Sequence, residues 1–217
     1  MMRAGAVFAA ATLLGTLSFQ LAAQPRQVEA GLTHTVLEPA VTTQGAADLI
    51  DVVDVFWYGC PVCSEFAPMM SYWGGEIRGD LVLRRMPAVW NDIMALHARL
   101  YYTALNLELV APIHHAAFRQ IHEEGKPLDT VEQISELFAQ HGVAAEAFAK
   151  AWTAPEVLAA VDKAAADTTA AGIDRLPALL VNGRYRVVRN ATVPTLPEMI
   201  IVTNQLIKAQ RDLRRPD

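Results

Sequence analysis

Residues 57–66 read WYGCPVCSEF and hold both cysteines of a 217-residue chain, Cys60 and Cys63. Just upstream, Ile50 to Tyr58 (IDVVDVFWY) is rich in valine and aromatics and largely apolar on both faces, the pattern of a central strand. Gly59 breaks it. From Cys60 to about Ile77 the pattern turns helical, with Pro61 at a first-turn position that tolerates proline. A strand that hands over to a helix at a Cys-x-x-Cys pair puts Cys60 at the helix start. Unpaired amides and the helix dipole favour an anion there, and the thiolate is the attacking species in sulfur exchange. Cys63 lies one turn on, within bridging reach and more enclosed.

Four readings compete for such a pair. A structural zinc site needs about four ligands, and the chain has no second cysteine pair. Its six histidines lack finger spacing, and all but His34 fall in a helical block. A purely structural bridge would close too small a loop to restrict the unfolded chain much. A c-type haem site would want histidine after the second cysteine, where Ser64 stands. Dithiol-disulfide exchange is the reading that uses the strand, the helix start and the spacing together. No cofactor and no metal is expected. His114 and His115 occupy adjacent helix positions, which do not share a face, and read as surface helix.

Further out, Thr33 to Leu37 is a short edge-strand candidate and Asp80 to Arg85 a second strand. A second proline, Pro68, falls inside the active-site helix, and Gly74-Gly75 ends it. Residues 93 to 170 read as almost entirely helical. Strands return at ALLVNGRYRVV (178–188), where Asn182-Gly183 between alternating runs signals a hairpin. Pro194 to Ala209 closes the order as a helix. The expected class is α/β, interrupted by a helical insertion.

At the N-terminus, Met1 to Arg3 is weakly basic, Ala4 to Ala23 is free of charge, and Leu21-Ala22-Ala23 is a small-residue cleavage site. This reads as a secretory signal peptide over residues 1–23, with an uncleaved anchor as its rival. Its removal takes Arg3 and moves the formal charge from -5 to -6. With 18 basic and 23 acidic residues the chain offers no basic face for nucleic acid. The mature protein is expected on the oxidising side of a membrane, where disulfides persist.

Three stretches carry a family resemblance: HTVLEPAV (34–41), VDVFWYGCPVCSEF (53–66) and DKAAADTTAAGIDRLPALLVNGRYRV (162–187). Together they resemble periplasmic thiol-disulfide oxidoreductases of the DsbA family, a thioredoxin-like fold with an inserted α-helical domain. The resemblance implies a thioredoxin-like part in residues 24–90 and 172–217, with the insertion at 91–171. It makes Cys60 the nucleophile and Cys63 its resolving partner. It also makes Pro177 a cis proline facing them, with Leu176 free to pair with an extended substrate by strand addition. The plainer reading of Pro177 is a trans proline opening a strand.

Asp54, six positions before Cys60, matches the family's buried acid, generally glutamate, and is the candidate proton relay to Cys63. Its alternative is a solvated strand carboxylate. Pro61 and Val62, between the cysteines, join Leu176 as candidate substrate contacts. Val62 stands where strong oxidants of the family carry histidine, which can donate a hydrogen bond to the thiolate. A Cys60 pKa of roughly 4.5 to 6 is therefore expected, between about 3.5 for those oxidants and about 7 for thioredoxin. The matching potential is on the order of -140 to -200 mV.

The implied activity is donation of a disulfide to reduced secreted or periplasmic proteins, by a monomer in the periplasm, with a DsbB-type membrane partner for reoxidation. A reductase or isomerase, or a metal-handling protein using the pair as ligands, are the competing functions.

Overall fold

The computed structural model describes residues 28–41, 48–77 and 79–214. The expected leader, residues 1–23, lies outside them. Five strands form one sheet: β1 (Thr35–Val36), β2 (Ile50–Phe56), β3 (Leu81–Pro87), β4 (Ala178–Val181) and β5 (Tyr185–Val188), in the order β1-β5-β4-β2-β3. β2 is central and buried along its whole length. It pairs parallel with β3 and antiparallel with β4. This accounts for its near-continuous apolar sequence, since both faces are covered.

Helix α1 (Pro61–Gly75) follows β2 and runs through Pro68. Between β3 and β4 come five helices: α2 (Asp92–Asn106), α3 (Val110–His122), α4 (Val131–Gln140), α5 (Ala145–Trp152) and α6 (Pro155–Ala170). α7 (Leu196–Arg214) ends the order. This is the expected α/β class with its helical insertion. Two of the insertion helices carry side-chain caps: Asn91 accepts from the Met94 amide and Thr130 from the Gln133 amide. The hairpin is tight, with positive φ at both Asn182 (51°) and Gly183 (61°), as a two-residue turn of the primed type requires. Arg184 N–H closes it on the Val181 carbonyl.

Strand alternation assigns the packing. Ile50 and Val52 of β2 join Leu179 and Val181 of β4 against Phe66 and Met70 of α1 and against α7. Val53 and Val55 point the other way, with Ala178 and Leu180, onto Met94 of α2 and Ala164 of α6. A third cluster gathers Phe56, Tyr58 and Cys63 with Leu100, Ile113, Phe118 and Phe138 of the insertion. The active-site end of β2 is thus packed directly against the inserted helices. Among the described residues, no helix is long and apolar enough to cross a membrane.

Candidate active site

Cys60 is the N-cap of α1. Its backbone is extended (φ -88°, ψ 114°) and its sulfur accepts the Cys63 amide at 3.2 Å. Both cysteines are thiols in this structure, Cys60 half-buried and Cys63 buried. The Cys60 thiol is lowered to about 7. The largest cause is a hydrogen bond from the Cys63 side chain, joined by the Cys63 and Val62 amides, while burial and the Glu65 carboxylate push the other way. Cys63 is pushed far up, first by burial, then by the hydrogen bond and charge of Cys60, with Asp54 adding to the rise. One sulfur is therefore prepared as a thiolate and the other held as a thiol.

The value of about 7 for Cys60 lies above the expected range of roughly 4.5 to 6. Partial burial and the negative charge of Glu65 are the physical reasons. With valine rather than histidine at position 62, the thiolate relies on Cys63 and on backbone amides.

The second half of the site comes from β4. The register places Ala178 opposite Val55, so the chain entering β4 passes beside the end of β2 from which the cysteine loop departs. The Leu176–Pro177 bond there is cis. Pro177 is buried, and Leu176 packs on the same apolar cluster as Cys60. Pro61 is exposed and Val62 half-buried, so the dipeptide between the cysteines faces the outside on its proline side.

Asp54 is 3 % exposed. Alternation puts it on the α1 face of β2, and burial raises its pKa to about 7 against the opposing pull of Arg85. The parallel register sets Arg85 of β3 directly opposite, with Nε 3.9 Å from Oδ2 of Asp54 and Nη2 donating to Ser71 Oγ at 3.1 Å. Arg85 thus bridges the acid to α1. Three residues earlier on β2, on the opposite face, Asp51 makes a bidentate pair with Arg84, Nε donating to Oδ1 at 2.9 Å and Nη2 to Oδ2. The sequence reading singled out neither arginine. A parallel β2–β3 pairing was the signal that would have matched Asp54 to Arg85, whereas Arg84 stands opposite Val53 and reaches Asp51 diagonally along the same face.

His114 corrects the surface-helix reading. It is buried, with its ring within 5.4 Å of Tyr58 and edge-on to Phe56, Tyr101 and Phe118. Burial and the nearby Arg85 hold it well below the ordinary histidine pKa, so the ring is neutral. His115 alone faces solvent.

Gly59 is required by space. A Cβ there would lie 2.3 to 2.7 Å from the Trp57 indole carbons. Gly59→Ala is expected to displace the indole and lower stability by ~1–3 kcal/mol, as overpacking does. Urea unfolding of the purified variant measures this, and an unchanged midpoint would refute the contact.

The geometry has close counterparts. The DSBA-like thioredoxin domain model matches residues 78–200. The thiol:disulfide interchange protein DsbA of Azotobacter vinelandii is 34% identical over 181 residues, covering 81% of this chain and 84% of the relative. That of Pseudomonas aeruginosa is 31% identical over 168 residues, 77% of this chain and 79% of the relative. The crystal structure of Pseudomonas aeruginosa DsbA superposes with a TM-score of 0.80 at 28% identity, covering 86% of this chain and 96% of that one. The oxidoreductase DsbA from Xylella fastidiosa gives 0.80 at 26% identity, covering 86% and 100%. Matched by the family model over more than half of its length and by relatives above 30% identity over most of theirs, the chain belongs to the DSBA-like thioredoxin domain family.

Proposed function

We propose that the protein is a thiol-disulfide oxidoreductase that donates the Cys60–Cys63 disulfide to reduced secreted proteins. The observation that carries this is the asymmetry of the pair. Cys60 caps a helix with its pKa lowered to about 7, and Cys63 is buried behind it with its pKa raised.

Each step balances. A substrate thiolate attacks the Cys60 sulfur of the oxidised protein and forms a mixed disulfide. The electron pair of the broken bond goes to Cys63, a costly anion in its buried site, so it must take up a proton. Asp54, with a pKa of about 7, is the group we assign to deliver it. A second substrate thiolate then attacks the substrate sulfur of the mixed disulfide. Cys60 leaves as a stabilised thiolate, the substrate gains a disulfide, and the protein has taken up two electrons. Pro177 and Leu176 form the wall on which an extended substrate lies, with Pro61 and Val62 on its other side.

Cys63→Ser is the direct test. In the reducing direction its Cys60 attacks substrate disulfides, but the variant cannot release the product from within the pair. Mixed disulfides are expected to accumulate as slower bands on non-reducing gels of secreting cells. No such bands would show that the sulfur roles are assigned wrongly.

Reoxidation falls to a DsbB-type membrane partner, and the protein works as a monomer in the periplasm. The charge-free segment at residues 4–23 and the redox pair support that location. Residues 24–90 and 172–217 are read as the thioredoxin-like part and 91–171 as the insertion. A Cys60 value near that of thioredoxin makes this a milder oxidant than family members with histidine between their cysteines.

A further inference from the structure

Tyr58, two residues before the nucleophile, is held from α3 at its hydroxyl and at its carbonyl. Its hydroxyl lies 3.1 Å from Nδ1 of His114. Its carbonyl oxygen accepts from Nε2 of His122 at 2.7 Å. His114, Phe118 and His122 stand at successive i, i+4 positions and form one stripe of α3. Phe118 meets Tyr58 edge-on at 5.0 Å and stacks on His122 at 6.1 Å.

The segment held in this way touches both cysteines. The Trp57 carbonyl accepts the Cys60 amide at 3.1 Å. The Trp57 backbone also lies close enough to the Cys63 sulfur to favour its thiolate. A shift of the Tyr58 carbonyl would carry both contacts with it. The bond from His122 also spans 64 residues, joining the insertion to the redox loop rather than closing a turn of its own helix.

We propose that His122 is a positioning residue for disulfide exchange: its Nε2–H bond to the Tyr58 carbonyl holds the Trp57–Tyr58 segment where its backbone serves Cys60 and Cys63. The insertion thereby tunes the redox pair without touching either sulfur. The proposal rests on the redox function given above.

Three variants test it: His122→Leu, which removes the donor; His122→Gln, whose amide nitrogen reaches the same point; and His115→Ala on the exposed neighbouring position. The readouts are the equilibrium constant with glutathione and the titration of the Cys60 thiolate. His122→Leu is expected to shift the equilibrium constant roughly fivefold, the scale of one net hydrogen bond, with His122→Gln returning to within about twofold of the wild type. His115→Ala should match the wild type. An unshifted His122→Leu protein, or a glutamine variant as altered as the leucine one, would overturn the proposal. If His122→Leu does not fold, nitrogen NMR of the wild-type imidazole decides. The His122 Nε2 resonance should be protonated and should move between the dithiol and disulfide forms, and a resonance indifferent to redox state refutes the proposal. A wild-type protein that fails to equilibrate with glutathione would overturn the redox function and the clamp together, a result distinct from any confined to position 122.

Discussion

Cys60→Ser protein is expected to transfer no disulfide to a reduced substrate while melting close to the wild-type temperature. The two halves of this expectation have different origins. Serine is among the preferred N-cap residues, and its hydroxyl can accept the Cys63 amide as the sulfur does. The first turn of α1 is therefore kept. The chemistry is not, because no disulfide can form and the only other thiol is buried with a raised pKa. Cys63 cannot take over, since the thiolate is the reactive form and its site disfavours that charge. Reoxidation of a reduced, unfolded model protein measures the activity, and circular dichroism on heating measures the fold. Residual transfer above the uncatalysed rate would end the assignment of Cys60 as nucleophile. An unfolded variant would show that Cys60 serves the fold through more than its cap.

The second large effect concerns Asp54. A carboxyl whose pKa is higher folded than unfolded binds its proton more tightly in the native state. Its contribution to stability is then fully present below the unfolded value and is lost as pH rises through the folded value. For Asp54 the window runs from the ordinary 3.8 to about 7. At about 1.4 kcal/mol per unit this corresponds to ~4 kcal/mol, a figure in which the opposing pull of Arg85 is already included. Asp54→Asn abolishes that titration. The variant should gain on the wild type by ~2–4 kcal/mol between pH 4 and pH 8, with little further change above. Chemical denaturation at several pH values, with both proteins reduced, gives the difference directly. A difference that stays constant across the range would mean that Asp54 ionises as easily folded as unfolded. The same variant should slow disulfide exchange near neutral pH, because Cys63 loses its proton donor.

The buried central strand, the capped cysteine and the hairpin were legible because each is local. β2 declares itself in seven consecutive residues, α1 in a break at Gly59, and the turn in Asn182-Gly183. Pro177 was different: only the family resemblance pointed to a cis bond beside the cysteines. Asp54 was found as a charge in an apolar run, but Arg85 was not, since their meeting depends on a parallel register 31 residues away. His114 was misread because its neighbour His115 is exposed and the pair was judged as a unit. What buries His114 is an aromatic cluster drawn from β2, α2 and α3, and no short window of sequence contains it. The tie from His122 to Tyr58 escaped for the same reason.

β3 is seven residues long and lies at the edge of the sheet, with no strand on its outer side among the described residues. Such an edge is a ready template for another strand, and a protein that exchanges disulfides with other proteins meets candidate strands constantly. Two features of β3 oppose this capture. Arg84 and Arg85 place consecutive charges on the edge, and each is anchored to a buried acid of β2. Pro87 ends the strand with a residue that has no amide to offer. The opposite edge, β1, is only two residues long. Natural sheets use these same devices against aggregation. The ion pairs that hold Asp51 and Asp54 therefore also protect the molecule from its own clients: β3 can pass along a stream of sticky polypeptides without recruiting them into its sheet.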